Sequence, residues 1–265
     1  PCQCISVSHP AHLYITDDYV VTHNTALGMT IGMSMAETHS VAMLSMEMPH
    51  TEVRDRMTAM LGNVSLSSVK RPDKGDGLAW DRVLDGVEKA RRIKFFVSDQ
   101  GGLTINQVRS KARNVKRLHG LNVLILDYLG LMNGTDQKQQ RAYQLEEVTK
   151  GLKDLAKELQ ISILCLAQVN RKVEERADAM PVLSDLRDSG SIEQDADTVI
   201  FVHRPAQAKQ DLGAEWTNYA KVSVAKNRNA RCGVFNLFYV GNQTKFTGWS
   251  GPAPTKASFS GRGGL

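Results

Sequence analysis

The stretch VLILDY, which spans Val123–Tyr128, is an apolar run that ends in a carboxylate. Four apolar residues in succession, without polar alternation, are typical of a strand buried on both faces, as in a parallel sheet covered by helices. Asp127 then falls at the carboxyl end of the strand, where open parallel sheets bind their ligands. An acid at this edge can orient Mg²⁺ on a nucleotide phosphate, whereas turn formation or helix capping is the alternative explanation.

Similar short runs alternate with longer helical patterns along most of the chain. The predicted strands are Val41–Ser45, Ile93–Val97, Val123–Leu126, Ile161–Ala167, Thr198–His203, Tyr219–Ala225 and Gly233–Tyr239. The earlier runs are apolar on both faces, whereas the last two flank a polar turn. This order predicts an α/β fold, with a mostly parallel sheet flanked by helices and a C-terminal antiparallel hairpin.

Two helices have clear sequence signatures. Thr104 and Gln107 are spaced as a capping box at the start of the first helix. This helix also carries five basic residues: Arg109, Lys111, Arg113, Lys116 and Arg117. We expect that basic face to be solvated, with a nucleic-acid contact as the alternative. The second helix has an apolar stripe that is predicted to face the core: Leu145, Val148, Leu152, Leu155 and Leu159.

Composition narrows the class of protein. The 265 residues, 42% of them hydrophobic, are enough for one substantial core. A net charge of +5 is compatible with a polyanionic partner, although so modest an excess also serves solubility. Cys165 lies within an apolar strand, and the four cysteines lack metal-site spacing, which favours a reducing, cytoplasmic setting. No run is long enough to cross a bilayer and no signal peptide is visible, so we expect no membrane partner. The start at Pro1 suggests a fragment or a processed product.

Further polar side chains follow other predicted strands or lie at their turns. Glu47 comes just after the first strand, Gln168 follows the strand that ends at Ala167, and Lys226 and Arg228 lie at the tip of the late hairpin. A phosphoryl-transfer site needs a metal-holding acid, a second acid for water, a polar group near the γ-phosphate and a cation. Ordinary capping explains each residue alone, but their joint occurrence favours a nucleotide-hydrolysing enzyme.

The segment Leu183–Asp197 is polar, contains Gly190 and leads into a predicted helix start. Backbone N–H groups and Arg187 in such a loop are suited to holding a phosphate backbone, whereas a simple capped loop is the alternative.

Taken together, five segments resemble the motor domain of the DnaB-type replicative helicases, which are hexameric RecA-like ATPases. The segments are Ser45–Pro49, Leu126–Met132, Ala167–Arg171, Leu183–Asp197 and Lys226–Arg228. The resemblance spans residues 25–249 and is more specific than any single motif. It implies ATP and Mg²⁺ as cofactors, single-stranded DNA as the track, and a homo-oligomer, expected to be a hexameric ring.

The resemblance also implies roles for particular residues. Asp127 matches the acid that organises the metal, Glu47 the catalytic base, and Gln168 the residue that couples the γ-phosphate to DNA. Arg228 matches an arginine finger that reaches a neighbouring subunit's site, and Lys226 is a second cation beside it.

The family's channel-lining loop, which grips single-stranded phosphates, corresponds here to Arg187, Asp188 and Gly190. Thr25 matches the Thr of the family's phosphate loop, Gly-x-x-x-x-Gly-Lys-Thr, and is expected to contact both phosphate and Mg²⁺.

The sequence departs from the family before Thr25, because neither the glycines nor the lysine of that loop are present. Residues 12–24 read HLYITDDYVVTHN. This segment resembles the C-terminal end of an intein, in which Asn24 cyclises to cleave the chain and His23 assists by proton transfer. Thr25 is then the first residue of the host protein, and the intein splits the phosphate loop between Lys and Thr.

Cys4 and Thr22 occupy positions that resemble those of an intein class with an internal cysteine nucleophile. A β-hairpin leader with an incidental His-Asn pair is the alternative for residues 1–24. The resulting domains are an intein segment 1–24, a motor domain 25–249 and a flexible tail 250–265. We expect a partner polypeptide that carries the other intein and helicase half, and poor ATP hydrolysis by the isolated chain.

Two competing functions remain open at this point. A RecA-like recombinase or repair ATPase shares the same core, although Asp185–Asp197 and Lys226–Arg228 favour the helicase. The other alternative is not an enzyme but a non-catalytic fragment that awaits protein splicing.

Overall fold

The computed structural model describes residues 23–255, except residues 74, 171, 172, 174, 175, 177–179 and 209–211; for residues 23, 187–189 and 208 it describes the backbone alone. Cys4, Thr22 and the rest of the predicted intein segment up to residue 22 lie outside the described residues. So do residues 256–265 of the predicted tail.

The described chain forms eight helices and eight strands, besides short 3₁₀ turns. The helices are α1 (His23–Ala36), α2 (His50–Gly62), α3 (Leu66–Lys70), α4 (Gly77–Arg92), α5 (Ile105–His119), α6 (Arg141–Leu159), α7 (Gly190–Asp195) and α8 (Pro205–Ala208). The strands are β1 (Val41–Ser45), β2 (Phe95–Ser98), β3 (Val123–Asp127), β4 (Ser162–Cys165), β5 (Thr198–His203), β6 (Tyr219–Asn227), β7 (Gly233–Val240) and β8 (Lys245–Gly248). All seven predicted strands are found, with ends that shift by at most two residues.

The first sheet is parallel and has the strand order β2-β1-β3-β4. The quoted run forms β3, an inner strand whose five residues are all buried. Its side chains alternate between the two faces of the sheet. Leu124 and Leu126 pack under α5 and α6, whereas Val123 and Ile125 pack under α1 and α2. Two helical layers thus explain why the sequence of β3 shows no polar alternation.

The helix signatures are confirmed. Thr104 Oγ1 accepts from the backbone N–H of Gln107, and Gln107 Oε1 accepts from that of Thr104, at 3.4 and 2.9 Å. The stripe of α6 lies in the core, with Leu145, Val148, Leu152 and Leu155 buried.

The second sheet is antiparallel and has the order β5-β6-β7-β8. The predicted hairpin is present as β6 and β7, but Thr198–His203 pairs with β6 rather than with the parallel sheet. Strand β8 was not predicted. The α/β class is therefore confirmed, while the four-stranded second sheet differs from the expected single hairpin. The local pattern of β5 is too apolar to show which neighbour it pairs with, because pairing depends on residues far along the chain.

No helix in the described part of the chain combines the length and the apolar character needed to cross a bilayer.

Candidate functional site

The site is built around a buried hydroxyl–carboxylate pair. Thr25, in the first turn of α1, and Asp127, the last residue of β3, are both fully buried. The Thr25 hydroxyl lies 3.1 Å from Asp127 Oδ1 and 3.0 Å from Oδ2, and donates to this carboxylate. The sequence placed both residues at one site, and the structure brings them into contact.

The electrostatics of Asp127 follow from its burial. Removal from water raises the pKa of its carboxyl group from 3.8 to about 6. The hydrogen bond from Thr25 opposes this rise, the charge of Glu47 adds to it, and the charge of Arg56 opposes it. A bound cation would stabilise the ionised form of this buried carboxylate, because its charge replaces the hydration that burial removes.

Glu47 lies at the same sheet edge as Asp127. The parallel register pairs Ser45 with Asp127, and the N–H of Met46 donates to the Asp127 carbonyl at 2.7 Å, so Glu47 follows directly. Glu47 itself is exposed. Partial burial of its carboxyl raises the pKa of Glu47, Arg56 lowers it, and Glu52 raises it. An acid held this way is suited to accept a proton.

Arg56 was missed by the sequence analysis. It lies in α2, the helix after Glu47, and its Nη2 donates to Glu52 Oε1 at 2.8 Å. Its charge lowers the pKa of both Glu47 and Asp127. The available signal was a cation two turns into the helix that follows the acid, but arginines on helices are too common for that signal to stand out.

Gln168 lies three residues beyond β4 and is exposed. The end of β4 is tied to that of β3, because the Leu166 N–H donates to the Leu126 carbonyl and the Leu129 N–H to the Leu166 carbonyl, both at 2.9 Å. Gln168 therefore shares the carboxyl edge of the parallel sheet with Asp127. Of the three predicted strand-end residues, Glu47 and Gln168 follow β1 and β4, and Asp127 ends β3, which lies between these two strands.

Asn24 joins α1 to this edge. Its Nδ2 donates to the Ala167 carbonyl at 3.3 Å, and its Oδ1 accepts from the Thr25 N–H at 2.9 Å. The first residue of α1 is His23, for which only the backbone is described.

Lys226 and Arg228 contact α7 rather than the Thr25–Asp127 pair. Lys226 Nζ donates to the carbonyl of Glu193, and Arg228 Nη2 donates to that of Gln194 at 2.7 Å. Arg228 Nη1 also lies 3.5 Å from Asp197 Oδ1. Within one chain these cations cap the C-terminal end of a helix, a favourable place for positive charge.

The segment predicted to bind DNA forms two short helices. Leu183–Ser189 forms a 3₁₀ helix that contains Arg187 and Asp188, and Gly190 starts α7. Asp185 fixes the start of this loop by accepting from the N–H of Val182 at 2.7 Å and from Arg176 Nη1 at 2.9 Å. The Arg176 guanidinium holds the pKa of Asp185 below its usual value. The side chains of Arg187 and Asp188 are outside the description.

The donor set at Thr25 and Asp127 fits Mg²⁺. No group of three or more His, Cys, Asp or Glu side chains that is suited to hold a metal occurs among the described residues. Mg²⁺ bound with a nucleotide does not need such a group, since it keeps several waters and takes one or two protein oxygens besides the phosphates. The Thr25 hydroxyl and the Asp127 carboxylate, 3.0 Å apart, would supply those oxygens.

The parallel core, with a metal-suited acid at its carboxyl edge, has the arrangement that open α/β domains use to bind ligands. Residues 7–248 match the family model of the DnaB-like helicase C-terminal domain. The chain therefore belongs to this family. The match starts at residue 7, within the predicted intein segment, and so lends that segment no support.

Relatives and solved structures agree with the family. The chain is 36% identical over 226 residues to the replicative DNA helicase DnaB of Rickettsia felis, covering 79% of this chain and 45% of that protein. It is 32% identical over 252 residues to that of Mycobacterium leprae, covering 93% and 41%. The chain thus spans less than half the length of these relatives.

A DnaB-like replicative helicase, solved in a study of its interactions with primase, matches with a TM-score of 0.81 and 27% identity. That match covers 87% of this chain and 55% of the solved one. A solved ATPase domain matches equally well, at 0.81 and 27%, over 86% and 81%.

Proposed function

We propose that this chain carries the motor domain, residues 25–249, of an ATP-driven replicative DNA helicase. The observation that carries the proposal is the buried contact between Thr25 and Asp127, with Glu47 and Gln168 following the neighbouring strands of the same edge. The proposed setting is the cytoplasm of a bacterial or phage-infected cell, in line with the bacterial relatives.

The chain's own residues divide the work at this site. Thr25 and Asp127 would hold and orient Mg²⁺, which would supply positive charge to offset that of the nucleotide phosphates. Glu47 accepts the proton of the attacking water, because its raised pKa brings it closer to neutral pH. Gln168, exposed just beyond β4, senses the γ-phosphate and passes its state to the loop that follows.

Two cations and one loop act beyond a single subunit. Arg228 and Lys226 lie apart from their own chain's Thr25–Asp127 pair, which supports a role at the site of a neighbouring protomer. Such a role requires a homo-oligomer, proposed to be a hexameric ring. Arg187, Asp188 and Gly190 are proposed to grip single-stranded DNA in its channel, with Gly190 at the start of α7.

We also propose an intein splice junction between Asn24 and Thr25. Its support is the run Thr22-His23-Asn24-Thr25 together with the absence of Gly-Lys before Thr25. The acyl group upstream of the intein leaves its peptide bond for Cys4 Sγ, with support from Thr22, to give a branched thioester, and then passes to the Thr25 hydroxyl. Asn24 then cyclises and breaks the Asn24–Thr25 bond, with proton transfer by His23, and the ester at Thr25 rearranges to the peptide bond of the joined product. Mixing the chain with the polypeptide that carries the N-terminal intein half tests this step. Mass spectrometry should find a product joined at Thr25, and Asn24→Ala should abolish it.

A second experiment tests the motor. Residues 1–24 are replaced by the strand and phosphate loop that precede the position aligned with Thr25 in the Rickettsia felis helicase. The hybrid should hydrolyse ATP in a DNA-stimulated reaction at least about a hundredfold faster than the 265-residue chain, and Glu47→Gln should remove the gain. Equal turnover by the original chain contradicts the need for the loop. An inactive, folded hybrid contradicts the motor assignment.

The alternatives make different predictions for the same hybrid. A recombinase exchanges strands between homologous duplexes without unwinding a fork, whereas a helicase unwinds the fork. A fragment that serves only in splicing forms the joined product but yields a hybrid with neither activity.

A further inference from the structure

A cavity of about 530 Å³ separates β4 of the parallel sheet from β5 of the antiparallel sheet. Residues of both strands line it, together with Leu27 and Ile31 of α1, which covers one side. Its walls are mainly apolar, and Ile200 of β5 remains 42% exposed there. We define this cavity as the β4–β5 slot.

Each strand that borders the slot has one unpaired edge in the described part of the chain. Among the described strands, β4 pairs with β3 alone and β5 with β6 alone. The N–H groups of Ser162 and Leu166 point towards β3, since they donate to the carbonyls of Asn122 and Leu126. Alternate residues of a strand direct their N–H groups to opposite sides, so Ile163 and Cys165 direct theirs into the slot.

The burial pattern agrees with a missing neighbour. All five residues of β3 are buried, whereas the four residues of the adjacent β4 are partly or fully exposed. Strands at this position of a two-layered parallel sheet are normally covered on both faces and both edges. The slot therefore has the backbone donors and the apolar walls that one more strand would use.

Helix α1 sets the direction of that strand. It begins beside Asp127 and Ala167, at the carboxyl edge, and the chain returns at Ser40 to the opposite edge, where β1 starts. A strand that ends in a phosphate loop joined to Thr25 must therefore run parallel to β1, β3 and β4. Right-handed strand–helix–strand connections place such a strand beneath its helix, and α1 lies over the slot.

We propose that the β4–β5 slot is the docking site for the helicase strand that precedes the Gly-Lys of the phosphate loop. That strand comes from the upstream polypeptide, so the inference rests on the proposed split of the loop before Thr25. Its insertion joins the two sheets into one and brings its Gly-Lys to Thr25 before any peptide bond forms. A slot of this kind aligns the two halves for joining.

The probe is a synthetic peptide of about 15 residues, taken from the Rickettsia felis helicase immediately before the position aligned with Thr25. It is added to the 265-residue chain without nucleotide, and hydrogen exchange is followed by mass spectrometry. Exchange of the amides in residues 161–167 and 198–203 should slow by about tenfold or more. A peptide of scrambled order should leave both segments unchanged.

A pair of exposed positions provides the matched variants. Ile200→Arg places a charge on the slot wall and should weaken peptide binding by at least about tenfold, measured by titration. Val234→Arg makes the same change in β7, where Val234 is 56% exposed and does not line the slot, and should alter binding by less than about twofold. Equal thermal unfolding midpoints for both variants and the parent show that the fold is kept.

Three outcomes overturn the proposal. They are protection at the edges of β2 or β8 instead, equal binding by the two variants, and slow exchange of Ile163 and Cys165 in the free chain that is lost when residues 1–22 are deleted. The last outcome assigns the slot to the chain's own leader. Because no nucleotide is present, an inactive motor does not affect this test, and a failed docking leaves the hydrolysis and splicing experiments intact.

Discussion

Substituting Asp127 with asparagine is expected to make the ligand-free protein more stable at neutral pH while removing its proposed metal ligand. Burial raises the pKa of Asp127 in the folded state from 3.8 to about 6, so the folded state binds this proton more tightly than the unfolded chain does. The free energy of unfolding therefore falls as pH rises from about 4 to about 6, and this contribution is constant at higher pH.

The size of the effect follows from the same numbers. A difference of about two pKa units corresponds to about 3 kcal/mol of destabilisation at pH 7.5. The Asp127→Asn variant lacks this titration but weakens the hydrogen bond from Thr25, which costs about 1 kcal/mol. We expect the variant to gain about 2 kcal/mol over the parent at pH 7.5, and the gain to be absent or reversed at pH 4.

Urea unfolding of both proteins, without nucleotide or Mg²⁺, at pH values from 4 to 7.5 measures this difference. Asp81→Asn, which changes an exposed carboxylate of α4, is the control and should shift stability by less than about 0.5 kcal/mol at each pH. A stability difference between Asp127→Asn and the parent that does not change with pH would refute the conclusion that burial raises the pKa of Asp127.

Three further substitutions test other parts of the structure. Thr25→Val leaves the Asp127 carboxylate without its hydroxyl donor and should lower stability by about 1–3 kcal/mol at pH 7.5 in urea unfolding, whereas Thr25→Ser should recover most of the loss. Gly62→Ala should cost about 1–3 kcal/mol by the same measurement, because the added Cβ would clash with the Arg82 carbonyl oxygen where α2 and α4 touch. At Gly77 a Cβ meets nothing within 4 Å, so Gly77→Ala is the control. Arg228→Ala should change the free energy of unfolding by less than about 1 kcal/mol, because its side chain is about half exposed, yet lower turnover of the loop-restored hybrid by about a hundredfold or more; unchanged turnover would count against a role in trans.

Much of the site was accessible from local sequence patterns. The run before Asp127 predicted a buried strand with an acid at its end, and the same logic placed Glu47 and Gln168 after neighbouring strands. Arg56 was out of reach, because its importance depends on where α2 folds back relative to β1 and β3. The contacts of Lys226 and Arg228 with α7 were equally hidden, since 31 or more residues of chain separate these cations from the carbonyls they bind.

The order of residues by itself determined which segments become strands and helices, since burial on one or two faces imposes a period that is readable within a few residues. It also determined the chemistry at the strand ends, because those side chains are read directly. Tertiary structure alone decided that Thr198–His203 joins the antiparallel sheet and that a slot separates it from β4. Strand partners and local electrostatics depend on contacts between segments far apart in the chain, and no short window of sequence contains both partners.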